Sequence, residues 1–171
     1  MKLIGKGSFT KAYLLESGKV RLLSTCPIKE CMAIGWFPDS YLFPILEYIT
    51  VGEYETDYYE RPVSLKQNLS KRQWELYQIL RNLRPFMGKN IDNAFFAWHD
   101  QFDTIPNNFS SEREALKAAL DACSNYGTDI GFEISPRNVA VKGRKLVLLD
   151  CFYSISTLHT TRNQRKDHSY V

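Results

Sequence analysis

At Ser70 the spacing of apolar residues changes, and this limits the fold more than any other feature of the chain. Downstream, Trp74, Tyr77, Leu80 and Leu83 recur at three- and four-residue intervals, the pattern that lines one face of a helix. Upstream, short apolar runs are broken by turn residues every few positions, as antiparallel strands require. A single change of period fits an α+β chain, with a β-rich first part and a mainly helical second part.

The upstream runs can be assigned one by one. Leu3-Ile4 and Thr10 to Leu15 flank Gly5 and Gly7, Ser17-Gly18 is a turn signal, and Val20 to Leu23 resumes a strand. Together they predict a three-stranded antiparallel meander. Pro27 to Ile34 reads as a short helix, with Pro27 at a permitted first-turn position and Gly35 and Pro38 ending it. Phe43 to Tyr48 and Gly52 to Tyr59 read as two more strands. The region up to Pro62 is then a five-stranded sheet with one helix.

Ser70-x-x-Gln73 opens the helical part as a capping box, and Pro85 stops that helix. Ser111-x-x-Glu114 has the same form, and Ala115, Leu116, Ala119, Leu120 and Cys123 continue it to a stop at Gly127. Between them, 85–108 reads as irregular, and its aromatic group Phe95, Phe96 and Trp98 is expected to pack inside. Val139 to Val141 and Leu146 to Leu149 flank Lys142-Gly143-Arg144 as a hairpin. From Thr160 to Val171 the chain is polar and reads as a frayed tail.

Composition removes several function classes. The 171 residues suit one domain, and 44% are hydrophobic, enough to fill a core. A net charge of +3 lacks the strongly basic face of a nucleic-acid binder, and Asp167 interrupts the basic group Arg162, Arg165 and Lys166. Cys26, Cys31, Cys123 and Cys151 form no Cys-x-x-Cys pair, so they read as buried free thiols of a reducing cytoplasm rather than zinc ligands. No apolar run approaches the length needed to cross a bilayer. The expectation is a soluble cytoplasmic protein that makes no membrane contact; the sequence leaves the oligomeric state open.

Two groups of residues carry candidate chemistry. Gly5-Lys6-Gly7-Ser8-Phe9 lies between two strand-like runs, where glycines let backbone approach phosphate oxygens. A Rossmann turn needs a following helix, and a Walker loop needs Gly-Lys-Ser/Thr, so both are excluded. A Gly-rich hairpin over a nucleotide remains, beside the simpler reading of a turn with no ligand. The second group is Glu133, Asn138 and Asp150. A hairpin returns its ends to one side, bringing Asn138 and Asp150 together as hard oxygen donors for Mg²⁺. Glu133 could then orient a hydroxyl. The simpler reading is a capped turn with solvated polar residues.

In this order the residues resemble protein kinases. Gly5-Lys6-Gly7-Ser8-Phe9 followed by Tyr13 is similar to the Gly-rich loop, Glu133-x-x-Pro136-Arg137-Asn138 to the catalytic loop, and Leu148-Leu149-Asp150-Cys151-Phe152 to the D-F-G segment. Size and order resemble small phage-encoded serine/threonine kinase-like proteins. The resemblance implies a reduced two-lobed kinase-like fold, with an N-lobe over about 1–62, a hinge over about 58–63 that receives adenine, and a truncated C-lobe over about 64–159. It implies ATP and Mg²⁺, with Gly5, Lys6, Gly7, Ser8 and Phe9 at the phosphates, Asn138 and Asp150 on the metal, and Glu133 as the base.

The chain departs from the kinase pattern at four places. Glu133 is one methylene longer than the kinase Asp, and Leu22 stands where the third strand would carry Lys. Lys6, Lys11 or Arg21 could supply the missing cation, with Glu30 orienting it. The D-F-G glycine is absent, and twenty-one residues follow Asp150. Two functions are therefore expected. One is a minimal ATP/Mg²⁺-dependent serine/threonine protein kinase acting on host or self proteins. The other is a catalytically impaired pseudokinase-like module that binds and modulates a host protein.

Overall fold

The computed structural model describes residues 1–86 and 90–167. Its first half is one antiparallel sheet of β1 (Lys2–Lys6), β2 (Thr10–Leu14), β3 (Val20–Ser24), β4 (Glu47–Thr50) and β5 (Glu53–Thr56). The spatial order is β1-β2-β3-β5-β4. The expected meander is present, with Gly5 opposite Ala12 and Ala12 opposite Leu22. Helix α1 (Pro27–Ala33) lies between β3 and β4 in the chain and starts on its proline, as expected. Gly35 leaves the helix at φ 81°, a conformation that costs glycine little.

The fourth strand departs from expectation. It begins at Glu47, and the preceding Leu42, Phe43 and Leu46 are buried outside any strand. Their apolar side chains fill the core beneath the sheet. The Leu42 carbonyl accepts a 2.7 Å hydrogen bond from the Leu148 N–H. Burial of this segment overrides its strand propensity. What remains as β4 is an exposed edge strand.

The second half is mainly helical: α2 (Leu65–Asn68), α3 (Lys71–Asn82), α4 (Ala94–Asp103), α5 (Ser110–Cys123) and α6 (Ile155–Asp167). Two small antiparallel pairs join β6 (Ile130–Phe132) to β9 (Phe152–Ser154) and β7 (Val139–Lys142) to β8 (Lys145–Leu148). Ser70 caps α3 by accepting from the Gln73 N–H at 3.3 Å. Gln73 does not reach back as a capping box would. It donates to the Tyr41 hydroxyl at 2.6 Å and accepts from the Leu146 N–H at 3.0 Å, tying α3 to the β7–β8 hairpin.

Three further differences have local causes. The segment expected to be irregular contains α4, in which Ala94, Trp98 and Phe102 recur every four residues and are buried. The Ser111 capping box does not form, because α5 begins at Ser110, which puts Ser111 inside the helix, where its hydroxyl bonds to Glu112 at 3.0 Å. Helix α6 continues to Asp167 where a frayed tail was expected from Thr160. Its start is held by Asp129, which accepts from the Ser156 N–H at 2.8 Å and the Ser154 hydroxyl at 3.1 Å. Residues 168–171 of that expected tail lie outside the described residues.

The core gathers Phe43, Trp98, Phe102, Phe132 and Phe152, with Phe132 and Phe152 ring centres 4.9 Å apart. All four cysteines are free and buried. Gly131 is required by close approach, since a Cβ there would lie 2.5 Å from the Tyr153 ring. Among the described residues no helix is long and apolar enough to cross a membrane.

A second buried site is polar. Glu112, 2% exposed, accepts from both terminal nitrogens of Arg72 at 2.5 and 3.0 Å, and from the Tyr41 hydroxyl at 2.5 Å. Burial alone would raise the Glu112 carboxyl, but hydrogen bonds from Arg72, Tyr41 and Ser111 outweigh it and hold the carboxyl at about 2. Tyr41 is pushed up to about 12 by burial and by the carboxylate beside it.

Candidate functional site

The β1–β2 turn is closed by the Gly7 N–H donating to the Thr10 carbonyl at 2.8 Å. Phe9 packs against the core, and its carbonyl accepts from the Thr25 N–H at 3.1 Å, which fixes the turn to the end of β3. Ser8 lies in the same turn, while Lys6 and Lys11 pair across it with both side chains exposed. A Cβ on Gly7 would lie 3.9 Å from Asp150 Oδ2. The Gly-rich turn and Asp150, 143 positions apart in the sequence, therefore meet.

Asp150 follows β8 as the sequence predicts, and the backbone brings Asn138 to it. The Asn138 carbonyl accepts from the Leu149 N–H at 2.8 Å, the Asp150 N–H at 3.4 Å and the Cys151 thiol at 3.4 Å. The Asn138 N–H donates to Ser135 at 3.0 Å, rounding off the loop. Glu133 is joined to the same strand exit by its N–H to the Cys151 carbonyl at 2.8 Å, and its side chain is exposed. Burial, then the Asp150 carboxylate, raises the Cys151 thiol, so it stays protonated at neutral pH and offers no thiolate.

The basic residue against Asp150 is one the sequence reading did not name. Lys29, on α1, is 3% exposed. Its ammonium lies 3.0 Å from Asp150 Oδ1 and donates to the Leu149 carbonyl at 2.5 Å. Asp150 is 30% exposed at the rim of a recess lined by Ile28, Met32, Phe37, Phe43 and Leu148. Arg21 is turned to the other face of the sheet, where it bonds to Glu55 at 3.0 Å and Glu53 at 3.2 Å. Its neighbour Leu22 packs on the core, as the alternation of a strand demands. Glu30 accepts from the Tyr126 hydroxyl at 3.5 Å and does not orient the cation.

The stretch 58–63 links the sheet to the helical half. Glu60 pairs with Val141, whose N–H donates to the Glu60 carbonyl at 2.8 Å. Arg61 reaches back to β1, donating to the Ile4 carbonyl at 2.8 Å, and its guanidinium lies 3.4 Å from where a Gly5 Cβ would stand.

No protein-family model and no curated protein matches the chain. Among solved structures, a match is the streptomycin–ATP ternary complex of APH(2")-IIa, an aminoglycoside phosphotransferase. The match has 10% sequence identity and a TM-score of 0.39, and covers 89% of this chain and 66% of that one.

Proposed function

We propose that this chain is a reduced kinase-like protein that binds ATP with Mg²⁺ and transfers the terminal phosphoryl group to a serine or threonine hydroxyl of a host protein or of itself. The observation that carries this reading is the meeting of the Gly7 turn, Asn138 and Lys29 around Asp150. It joins a backbone turn suited to phosphates to a carboxylate and a cation. Such sites work by positioning and charge neutralisation, because phosphoryl transfer makes few covalent demands on the protein.

The donor set fits Mg²⁺. Among the described residues no group of three or more His, Cys, Asp or Glu could hold a metal. A cation here would use the Asp150 carboxylate, the Asn138 amide oxygen, water and the ligand's own phosphates, which is how Mg²⁺ is commonly held. Bound there, it would neutralise charge on the phosphates. Glu133, whose side chain is exposed, would accept the substrate hydroxyl's proton. The segment 58–63 would receive adenine through backbone groups, between an N-lobe ending near Pro62 and the C-lobe that follows it.

A second reading has its own support. Leu22 is packed into the core and Arg21 is held on the opposite face, so the third strand offers the cleft no cation. This favours a nucleotide-binding module without turnover that modulates a host protein. Incubation with γ-labelled ATP and Mg²⁺ separates the two. Label in the parent that is lost in Asp150→Ala supports transfer. Equal label in both, or none in the parent, overturns it.

A further inference from the structure

Lysine is rarely buried without a partner, yet Lys29 is 3% exposed while its carboxylate partner Asp150 is 30% exposed. The pair is thus lopsided, with the cation inside and the anion at the rim. Stability alone does not call for a charge here. The walls around Lys29 include Ile28, Met32, Phe37 and Phe43, and an apolar replacement in such surroundings is often neutral or stabilising.

We infer that Lys29 is the phosphate-contacting cation of this site, delivered from helix α1 instead of the third strand. This deepens the nucleotide reading above and depends on it. An ammonium has three N–H donors, and Asp150 Oδ1 and the Leu149 carbonyl occupy two. One donor is therefore left on an ammonium that holds one oxygen of Asp150, while the Gly7 turn approaches the other. Arg21 is bonded to Glu53 and Glu55 on the other face of the sheet, and Lys6 and Lys11 stand on the turn itself with exposed side chains, whereas Lys29 is buried and held on Asp150. A compact ammonium is a strong phosphate partner, and its attraction grows where water is displaced.

The test is calorimetric titration of the parent, Lys29→Met, Lys29→Arg and Arg21→Met with a non-hydrolysable MgATP analogue and with adenosine, which has no phosphates. Lys29→Met should weaken the analogue by about tenfold or more, the size of a lost charge-assisted contact, and leave adenosine unchanged. Lys29→Arg should retain most of the affinity, and Arg21→Met all of it. A parent that binds no analogue removes the nucleotide reading and this role with it. A parent that binds, with Lys29→Met binding equally or losing both ligands alike, overturns the Lys29 role alone.

Should Lys29→Met not fold, an acyl-phosphate derivative of ATP on the parent gives the answer. The nearest amine attacks the acyl carbon, an amide forms, the bond to phosphate breaks, and the nucleotide leaves as the amine's proton passes to solvent. Mass spectrometry should find the acyl group on Lys29 and find it lost when MgATP competes. Acylation at Lys6 or Lys11 instead would overturn the assignment.

Discussion

Among the described residues two ion pairs have one buried partner each, and they are built differently. At Arg72–Glu112 the buried member is the carboxylate, and both its oxygens are engaged by Arg72, with Tyr41 and Ser111 adding hydrogen bonds. Arg72 also lies 4.6 Å from the Phe109 ring centre. At Lys29–Asp150 the buried member is the cation, and it has one carboxylate oxygen and one carbonyl. The first is saturated and joins α3, α5 and the segment before β4. The second is thinly satisfied and faces a Gly-rich turn. A network with every polar group satisfied stabilises, whereas a half-satisfied one has capacity for a ligand.

The largest effect should come from breaking the saturated pair. Glu112→Gln should cost about 3 kcal/mol, the lower end for breaking a buried ion pair, because the Arg72 side chain is 47% exposed. Urea denaturation of parent and variant measures it. Acid should do the same work more gradually. The Glu112 carboxyl falls from its ordinary 4.5 to about 2 on folding. The stability it supplies is therefore complete above pH 4.5 and is lost as pH falls through about 2. Urea midpoints between those limits should drop steeply in the parent and more shallowly in Glu112→Gln. If the two slopes coincide, Glu112 is not the group responsible.

The open pair should respond less. Lys29→Met should stay within about 1 kcal/mol of the parent, since it removes a buried charge and leaves Asp150 reachable by water. Asp150→Asn should cost more than Lys29→Met, because it leaves the buried ammonium with a weaker acceptor. The reverse order, read from thermal melts, would mean that the two pairs are built alike. Smallest of all, Arg61→Ala should leave the melting temperature unchanged while amide exchange in β1 quickens, since Arg61 fastens the Ile4 carbonyl from the surface.

Much of the layout was legible. The glycines and Ser17-Gly18 marked the three-stranded meander, the Ser70 cap marked α3, and Lys142-Gly143-Arg144 marked the hairpin that brings Asn138 to Asp150. Helix α4 is masked in the sequence by the aromatic group Phe95, Phe96 and Trp98, which does not itself follow one helix face. Its four-residue spacing, Ala94, Trp98 and Phe102, was present in the sequence. The stretch before β4 was misread because Leu42, Phe43 and Leu46 are strand-like in type but are consumed by the core.

Lys29 was missed for a different reason: lysine is exposed by default. Its position was not silent, however. It neighbours Ile28 and lies three residues before Met32, both buried, so it shares the inward face of α1. With Leu22 at the third-strand position, α1 is the next element of the chain and carries the buried cation.

The loop at Asn138 is held to Asp150 by its main-chain carbonyl, not by its side chain. Shape and chemistry at that position are therefore inherited separately. An exchange at 138 changes the side chain presented beside Asp150 but leaves the carbonyl contacts that set the loop's course, so the two loops should superimpose closely. Under the nucleotide reading, a change in what the site can hold would then leave little trace in the backbone.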